Sequence, residues 1–227
     1  MNGPFSIRNW RTWFKAAPLF LRGYGQTLLI SLWGLLIALL IGVFAGIALT
    51  SRANGRQRAL AAIMRGYMSF FQNTPLMIQV FIFYNVLPKM GVRLSVTMVG
   101  VLGLALYTGA YAADIVASAI RAVPLGQTEA AESQGFSRAQ TLWLVILPQS
   151  VKIALPAMTN QVVNLIKNSS VLAVIAGGEL MYVADSWSGS NLIYGPTFVM
   201  TGLLYLAICL PISMIARQLE KRSVRNV

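Results

Sequence analysis

Histidine is absent from these 227 residues, cysteine occurs once, and acidic residues number 6 against 18 lysines and arginines. Each shortage excludes something. Without histidine there is no His-based catalytic triad, and the common zinc-ligand sets lack a member. A single cysteine closes no internal disulfide; Cys209 lies in an apolar run, where it reads as a small packing residue. The chain has no G-x-x-x-x-G-K-[ST] phosphate loop, so it is not expected to hydrolyse ATP itself. Charged residues make up 11% of the chain, against roughly 25% in soluble domains.

What is present is hydrocarbon. Apolar residues reach 56%, and the windows 23–51, 66–88, 94–113 and 186–216 contain no Asp, Glu, Lys or Arg. Each is long enough to cross a hydrocarbon core of about 30 Å as helix. A fifth window, 153–178, is interrupted only by Lys167. The expected fold is therefore all-α and transmembrane, a five-helix bundle with spans near 26–50, 60–87, 95–120, 153–177 and 192–216. Small residues recur in "GVFAGIA" (42–48) and "GVLGLALYTGAYAA" (100–113), allowing the close helix approach that membranes require where hydrophobicity gives no drive between helices.

The net charge of +12 is spread over loops between spans rather than gathered on one polar face, which reads as topology rather than nucleic-acid binding. One side receives ten cations, including Arg52, Arg121, Arg138, Lys152 and Arg225; the other receives six, among them Lys89, Arg93 and the N-terminal Arg8 to Arg22. The positive-inside rule then places the C-terminus and the 121–152 loop in the cytoplasm and the N-terminus outside. Residues 1–22 interleave Trp and Phe with Arg and Lys, as an interfacial helix does. The expected organisation is this segment, a transmembrane domain at 23–216 and a cytoplasmic tail at 217–227.

One stretch does not fit a simple bundle: "GQTEAAESQGFSRAQTLWLVILP" at 126–148. Pro124 can open a helix that Gly135 ends in a left-handed cap. Ser137 with Gln140 makes a capping box for a second helix, expected to stop at Pro148. A mere connection needs far fewer residues, so two capped polar helices imply a partner that holds them.

These residues resemble a family. "EAA", three residues, Gly135, nine residues, a β-branched residue, one more and "LP" is similar to the cytoplasmic signature of ABC importer permease subunits, with Val145 where Ile is commoner. "FFQNTPLMIQVFIFY" (70–84), "YTGAYAADIVASAIRAVPLGQ" (107–127) and "PQSVKIALPAMTNQVVNLIKNSSVLAVI" (148–175) look like the polar amino acid permeases of that group. The resemblance covers nearly everything from about residue 24. It implies that the elbow (about 124–148) docks on a separate ATPase, with Glu129, Ala130, Ala131 and Gly135 at the contact and Leu147 and Pro148 setting the return to the membrane. It implies two ATPase subunits that bind the ATP and magnesium, a second permease (a copy or a relative), an extracytoplasmic binding protein and a bacterial inner-membrane location. This chain itself is expected to hold no catalytic residue, metal or cofactor.

Polar groups at membrane depth cost roughly 2.5–3.5 kcal/mol each on insertion scales, which makes them functional candidates. Gln161, Asn164 and Asn168 are spaced +3 and +7 and fall within an arc of roughly 60° on a helix. They face a ligand or bridge helices. Lys167 lies off that stripe and is left to pair with a carboxylate, meet a substrate carboxylate or reach the outer interface. Asn73, Thr74 and Gln79 surround Pro75, where a broken helix is expected to turn hydrogen-bonding groups toward a cavity. Asp114, four residues before Ser118 and seven before Arg121, is expected to be a structural partner within the bundle. Glu179 and Asp185 are placed on an outer loop, available to a substrate-delivering protein.

Family members that carry cationic amino acids tend to have acids where Gln161 and Asn168 stand. Amides leave an ammonium or guanidinium without counter-charge, so glutamate, glutamine or aspartate are favoured, carried by alternating access. The alternatives are a permease of cationic amino acids, an ion-coupled carrier working alone, or a non-transporting assembly factor.

Overall fold

The computed structural model describes residues 3–50 and 55–224. Arg52 and Arg225, both used in the charge count, lie outside the described residues. Among the described residues the helices are α1 (Ile7–Thr50), α2 (Gly55–Asn73), α3 (Leu76–Asn85), α4 (Val96–Ala122), α5 (Leu125–Ser133), α6 (Arg138–Gln140), α7 (Leu147–Asn168), α8 (Leu180–Asn191) and α9 (Gly195–Val224). Among the described residues, four helical runs are long and apolar enough to cross a membrane: Ile7–Thr50, Val96–Ala122, Arg138–Ile175 and Gly195–Lys221.

The all-α expectation holds, with a different count of unbroken spans. The run expected near 60–87 is two helices, parted at Thr74 and Pro75. Proline has no N–H and its ring clashes with the carbonyl four residues back, so the chain leaves helical geometry there; Pro75 sits at φ −60 and ψ 132, capping α3. At the N-terminus no helix end falls at residue 22. α1 is one helix of 44 residues with Pro18 inside it, about 66 Å at 1.5 Å per residue.

The chain divides into two compact units. The first comprises residues 1–36, 74–105 and 163–212. Its start is held by aromatic packing: Trp13, Phe20, Leu180 and Ala184 form a buried cluster, with the Phe20 and Trp187 rings edge to face at 5.6 Å. The backbone N–H of Leu180 donates to Thr27 Oγ1 at 3.1 Å, tying α8 to α1.

The second unit comprises residues 37–73, 106–162 and 213–227. Here α1 and α4 approach until backbone touches side chain: a Cβ on Gly42 would lie 2.5 Å from the Ala112 Cβ, and one on Gly46 would lie 2.6 Å from Val116. That is the small-residue contact anticipated in "GVFAGIA". α2 is fixed to α4 by hydrogen bonds, since Tyr67 Oη donates to the Leu106 carbonyl (2.6 Å) and Gln72 Nε2 to the Ala110 carbonyl (3.1 Å).

Candidate functional site

The elbow is built by local chemistry. α5 starts after Pro124 and ends in a full Schellman motif: Phe136 N–H donates to the Ala131 carbonyl (3.1 Å) and Gly135 N–H to the Glu132 carbonyl (3.0 Å). That pairing needs a left-handed residue, and Gly135 supplies it at φ +85. Two residues later the capping box forms in both directions, with Gln140 N–H donating to Ser137 Oγ and Ser137 N–H to Gln140 Oε1. The two helices share one tight corner in which the orphan N–H and C=O groups find partners.

Two expectations about the elbow need correction. Pro148 does not stop the second helix, because helical backbone runs from Arg138 to Ile175. Residues Thr141–Ile146 form a wide π turn just ahead of it; Pro148 offers no N–H to the Leu144 carbonyl, and such turns are where helices absorb that loss. Leu147 and Pro148 therefore continue the element rather than end it. Ala131 is buried, seating α5 within the chain, while Glu129, Ala130 and Gly135 are exposed. The surface also includes residues that sequence reasoning missed: Leu125, Trp143 and Leu144 are large, apolar and exposed. Gln149 Nε2 donates to Gln127 Oε1 at 3.2 Å, pinning α5 to α7.

The polar residues at membrane depth sort into different roles. α7 carries Gln161, Asn164 and Asn168 on one helix. Asn164 is exposed, the other two half-buried, and none of the three hydrogen-bonds through its side chain among the described residues. They do not bridge helices among the described residues. Gln79, by contrast, is 2% exposed, and its Nε2 donates to the Thr74 carbonyl (3.1 Å) and Oγ1 (2.8 Å). It fastens the broken helix. Asn73 Nδ2 donates to its own helix at the Ser69 carbonyl, 2.7 Å.

Asp114 does not act as expected. It is exposed and has no ion pair among the described residues, while Arg121 donates to Ser118 Oγ at 3.3 Å instead. At that register the Asp114 side chain points away from the packed face formed by Ala112, Ala113, Val116 and Ala117, all buried.

Glu179 is also misplaced by the sequence reading. It is fully buried, so it is closed to any delivering protein. Its carboxylate caps α8, accepting from Met181 N–H (2.6 Å), Tyr182 N–H (2.8 Å) and Tyr205 Oη (3.0 Å). Burial pushes its pKa above the ordinary value, and these three donors oppose the rise without cancelling it. Asp185 does stay exposed, on α8.

Apolar helices of spanning length, a helix broken at a proline and a doubly capped polar elbow define a helical membrane permease. Residues 18–225 match the family described as binding-protein-dependent transport system inner membrane component. The chain belongs to that family and is a multi-pass inner-membrane protein. It is 37% identical over 209 residues to the probable glutamine ABC transporter permease protein GlnM of Bacillus subtilis (strain 168), covering 92% of this chain and 95% of that one. To the probable amino-acid ABC transporter permease protein YckA of the same organism it is 36% identical, covering 97% and 96%. Among solved structures, the crystal structure of an amino acid ABC transporter with histidines superposes at a TM-score of 0.84, with 29% identity over 94% of this chain and 98% of that one.

Proposed function

We propose that the chain is the permease subunit of an ATP-driven importer of polar amino acids, with glutamine, glutamate or aspartate as substrate. The observation that carries the transport reading is the elbow. A polar corner closed by two caps and pinned through Gln127 and Gln149 is rigid enough to transmit a push, and Glu129 with Leu125 gives it a surface for another protein. The partner is an ATPase dimer, which binds the ATP and magnesium. Its closure moves the elbow and shifts the bundle between two states, each open to one side. A second permease, a copy or a relative, completes the pathway, and an extracytoplasmic binding protein delivers substrate. The elbow and C-terminus face the cytoplasm and the N-terminus faces outside.

The substrate reading rests on Gln161, Asn164 and Asn168, three amides without side-chain partners among the described residues. Amides offer donors and acceptors to a carboxamide or carboxylate and no counter-charge to a cation. The likeness to permeases described as transporting glutamine supports it. A second reading, cationic amino acids, is favoured by one observation, the likeness to a transporter structure with histidines.

The deciding measurement is ATP hydrolysis in liposomes holding the chain, its ATPase and its binding protein, screened against all twenty amino acids. Stimulation by glutamine, glutamate or aspartate is expected. Stimulation by arginine, lysine or histidine alone overturns the amide argument and leaves the family standing. No stimulation by any amino acid in an assembled complex overturns the amino acid reading.

A further inference from the structure

Lys167 is the penultimate residue of α7. It is exposed, and has no ion pair among the described residues. It borders a cavity of about 330 Å³ whose walls include Ser170, Met181, Phe198, Thr201 and Tyr205. That volume is at the lower end of what small-ligand sites enclose, roughly 300–1,000 Å³. The donors on these walls are not all spent. Thr201 is 3% exposed, and its hydroxyl makes no hydrogen bond among the described residues. Ser170 Oγ donates to the Lys167 carbonyl at 2.8 Å and Tyr205 Oη to Glu179, so the uncommitted donors are the Lys167 ammonium and the Thr201 hydroxyl. An ammonium and a hydroxyl without acceptors, at the edge of an apolar span, call for an oxyanion.

The rim says which kind. α9, which supplies Phe198, Thr201, Gly202 and Tyr205 to the walls, also carries Val199, Leu203 and Leu206 at i, i+4 and i+7 on an adjoining face, all exposed. Phe198, on the wall itself, is 37% exposed. A ligand seated here meets a cation and a hydroxyl at one end and an apolar slope at the other, which is the chemistry of an amphiphile. The cavity walls include Lys167 but none of Gln161, Asn164 and Asn168, the amides assigned to the substrate. A second copy of this chain is a poor source of the anion. The chain has six acids in all; Glu179 is buried under three donors, Glu129 and Glu132 belong to α5, Asp114 to α4 and Glu220 to the last turns of α9, which leaves Asp185 as the exposed acid of α8.

We infer that the Lys167–Thr201 cavity holds the phosphodiester of a membrane phospholipid, with the acyl chains lying along the Val199–Leu203–Leu206 face. Lys167 and Thr201 donate to the phosphate oxygens, and Phe198 closes the side toward the chains. The site is separate from the amides assigned to the amino acid and does not depend on that assignment.

The test is native mass spectrometry of the assembled transporter taken from phosphatidylglycerol vesicles, counting retained lipid. Wild type retains phosphatidylglycerol through gentle activation. Lys167→Met lowers retention roughly tenfold or more, and Lys167→Arg restores it. Thr201→Val also lowers it. If that hydroxyl has no ligand, the same substitution leaves retention unchanged and raises stability instead, since it removes a buried polar group without a partner. Gly202 lines the cavity, and a Cβ there meets nothing within 4 Å, so Gly202→Leu puts a side chain into the space and is expected to expel the lipid. Equal retention in folded Lys167→Met and wild type overturns the inference. So does release of the lipid by free glutamine or by inorganic phosphate, which identifies a soluble anion as the occupant. Failure here leaves uptake and ATP hydrolysis as they were, whereas failure of the transport reading leaves lipid retention unchanged.

Discussion

Gly135 and Glu179 show how much one residue can settle. A side chain at φ +85 is strained whatever space surrounds it, so Gly135→Ala costs about 1–2 kcal/mol. The cost falls on the corner between α5 and α6 rather than on the bundle. The expected result is an assembled transporter whose substrate-stimulated ATP hydrolysis falls while its thermal midpoint moves little. Glu179 carries a pH signature. Its folded pKa is raised above the ordinary 4.5, chiefly by burial, so the folded state binds this proton more tightly than the unfolded chain. Its contribution to stability is complete below the ordinary value and is lost as pH rises from there toward the raised one. Glu179→Gln removes that loss. Thermal unfolding in detergent from about pH 4 to pH 8 should show the wild type declining more steeply with pH than the variant, and equal slopes would contradict the assignment.

At the level of elements, the readable features were those with local causes. The Gly135 cap, the Ser137–Gln140 box and the break at Pro75 each follow from a few neighbouring residues, and each appears where the residues put it. Pro148 was misread because a proline's effect depends on the turn before it, and a π turn at Thr141–Ile146 leaves no trace in hydrophobic period. Ser137→Ala removes an acceptor for Gln140 N–H and costs roughly 1 kcal/mol, visible as faster amide exchange at Gln140 and its neighbours. Pro75→Ala has the opposite character. It supplies the missing N–H, lets α2 run on into α3, and takes Thr74 from the amide of Gln79. Slower exchange at Leu76 is expected, together with weaker uptake in liposomes.

For the whole molecule, composition alone separates a membrane chain from a soluble one, and the family match agrees over residues 18–225. What composition could not supply was tertiary pairing. Glu179 looked like an outer-loop acid because the donors that bury it include Tyr205, which is 26 residues away. Asp114 looked like a structural partner within the bundle, yet it is exposed and Arg121 turns to Ser118. Gly42 and Gly46 were read as packing residues on spacing, and the structure bears this out at 2.5 and 2.6 Å. Gly42→Val should overpack that contact by about 1–3 kcal/mol, lowering the thermal midpoint of the solubilised protein and the yield of assembled complex together.

The bond from Leu180 to Thr27 joins residues 153 apart in the chain. At a synthesis rate of about 5–20 residues per second, the ribosome takes roughly 8–30 s to supply the later partner after the earlier one has emerged. Throughout that interval Thr27, Trp13 and Phe20, all buried in the finished protein, lack the contacts that α8 supplies through Leu180 and Ala184. α1 thus waits for α8, and the insertion machinery or the surrounding lipid must shelter its inner face until that helix arrives.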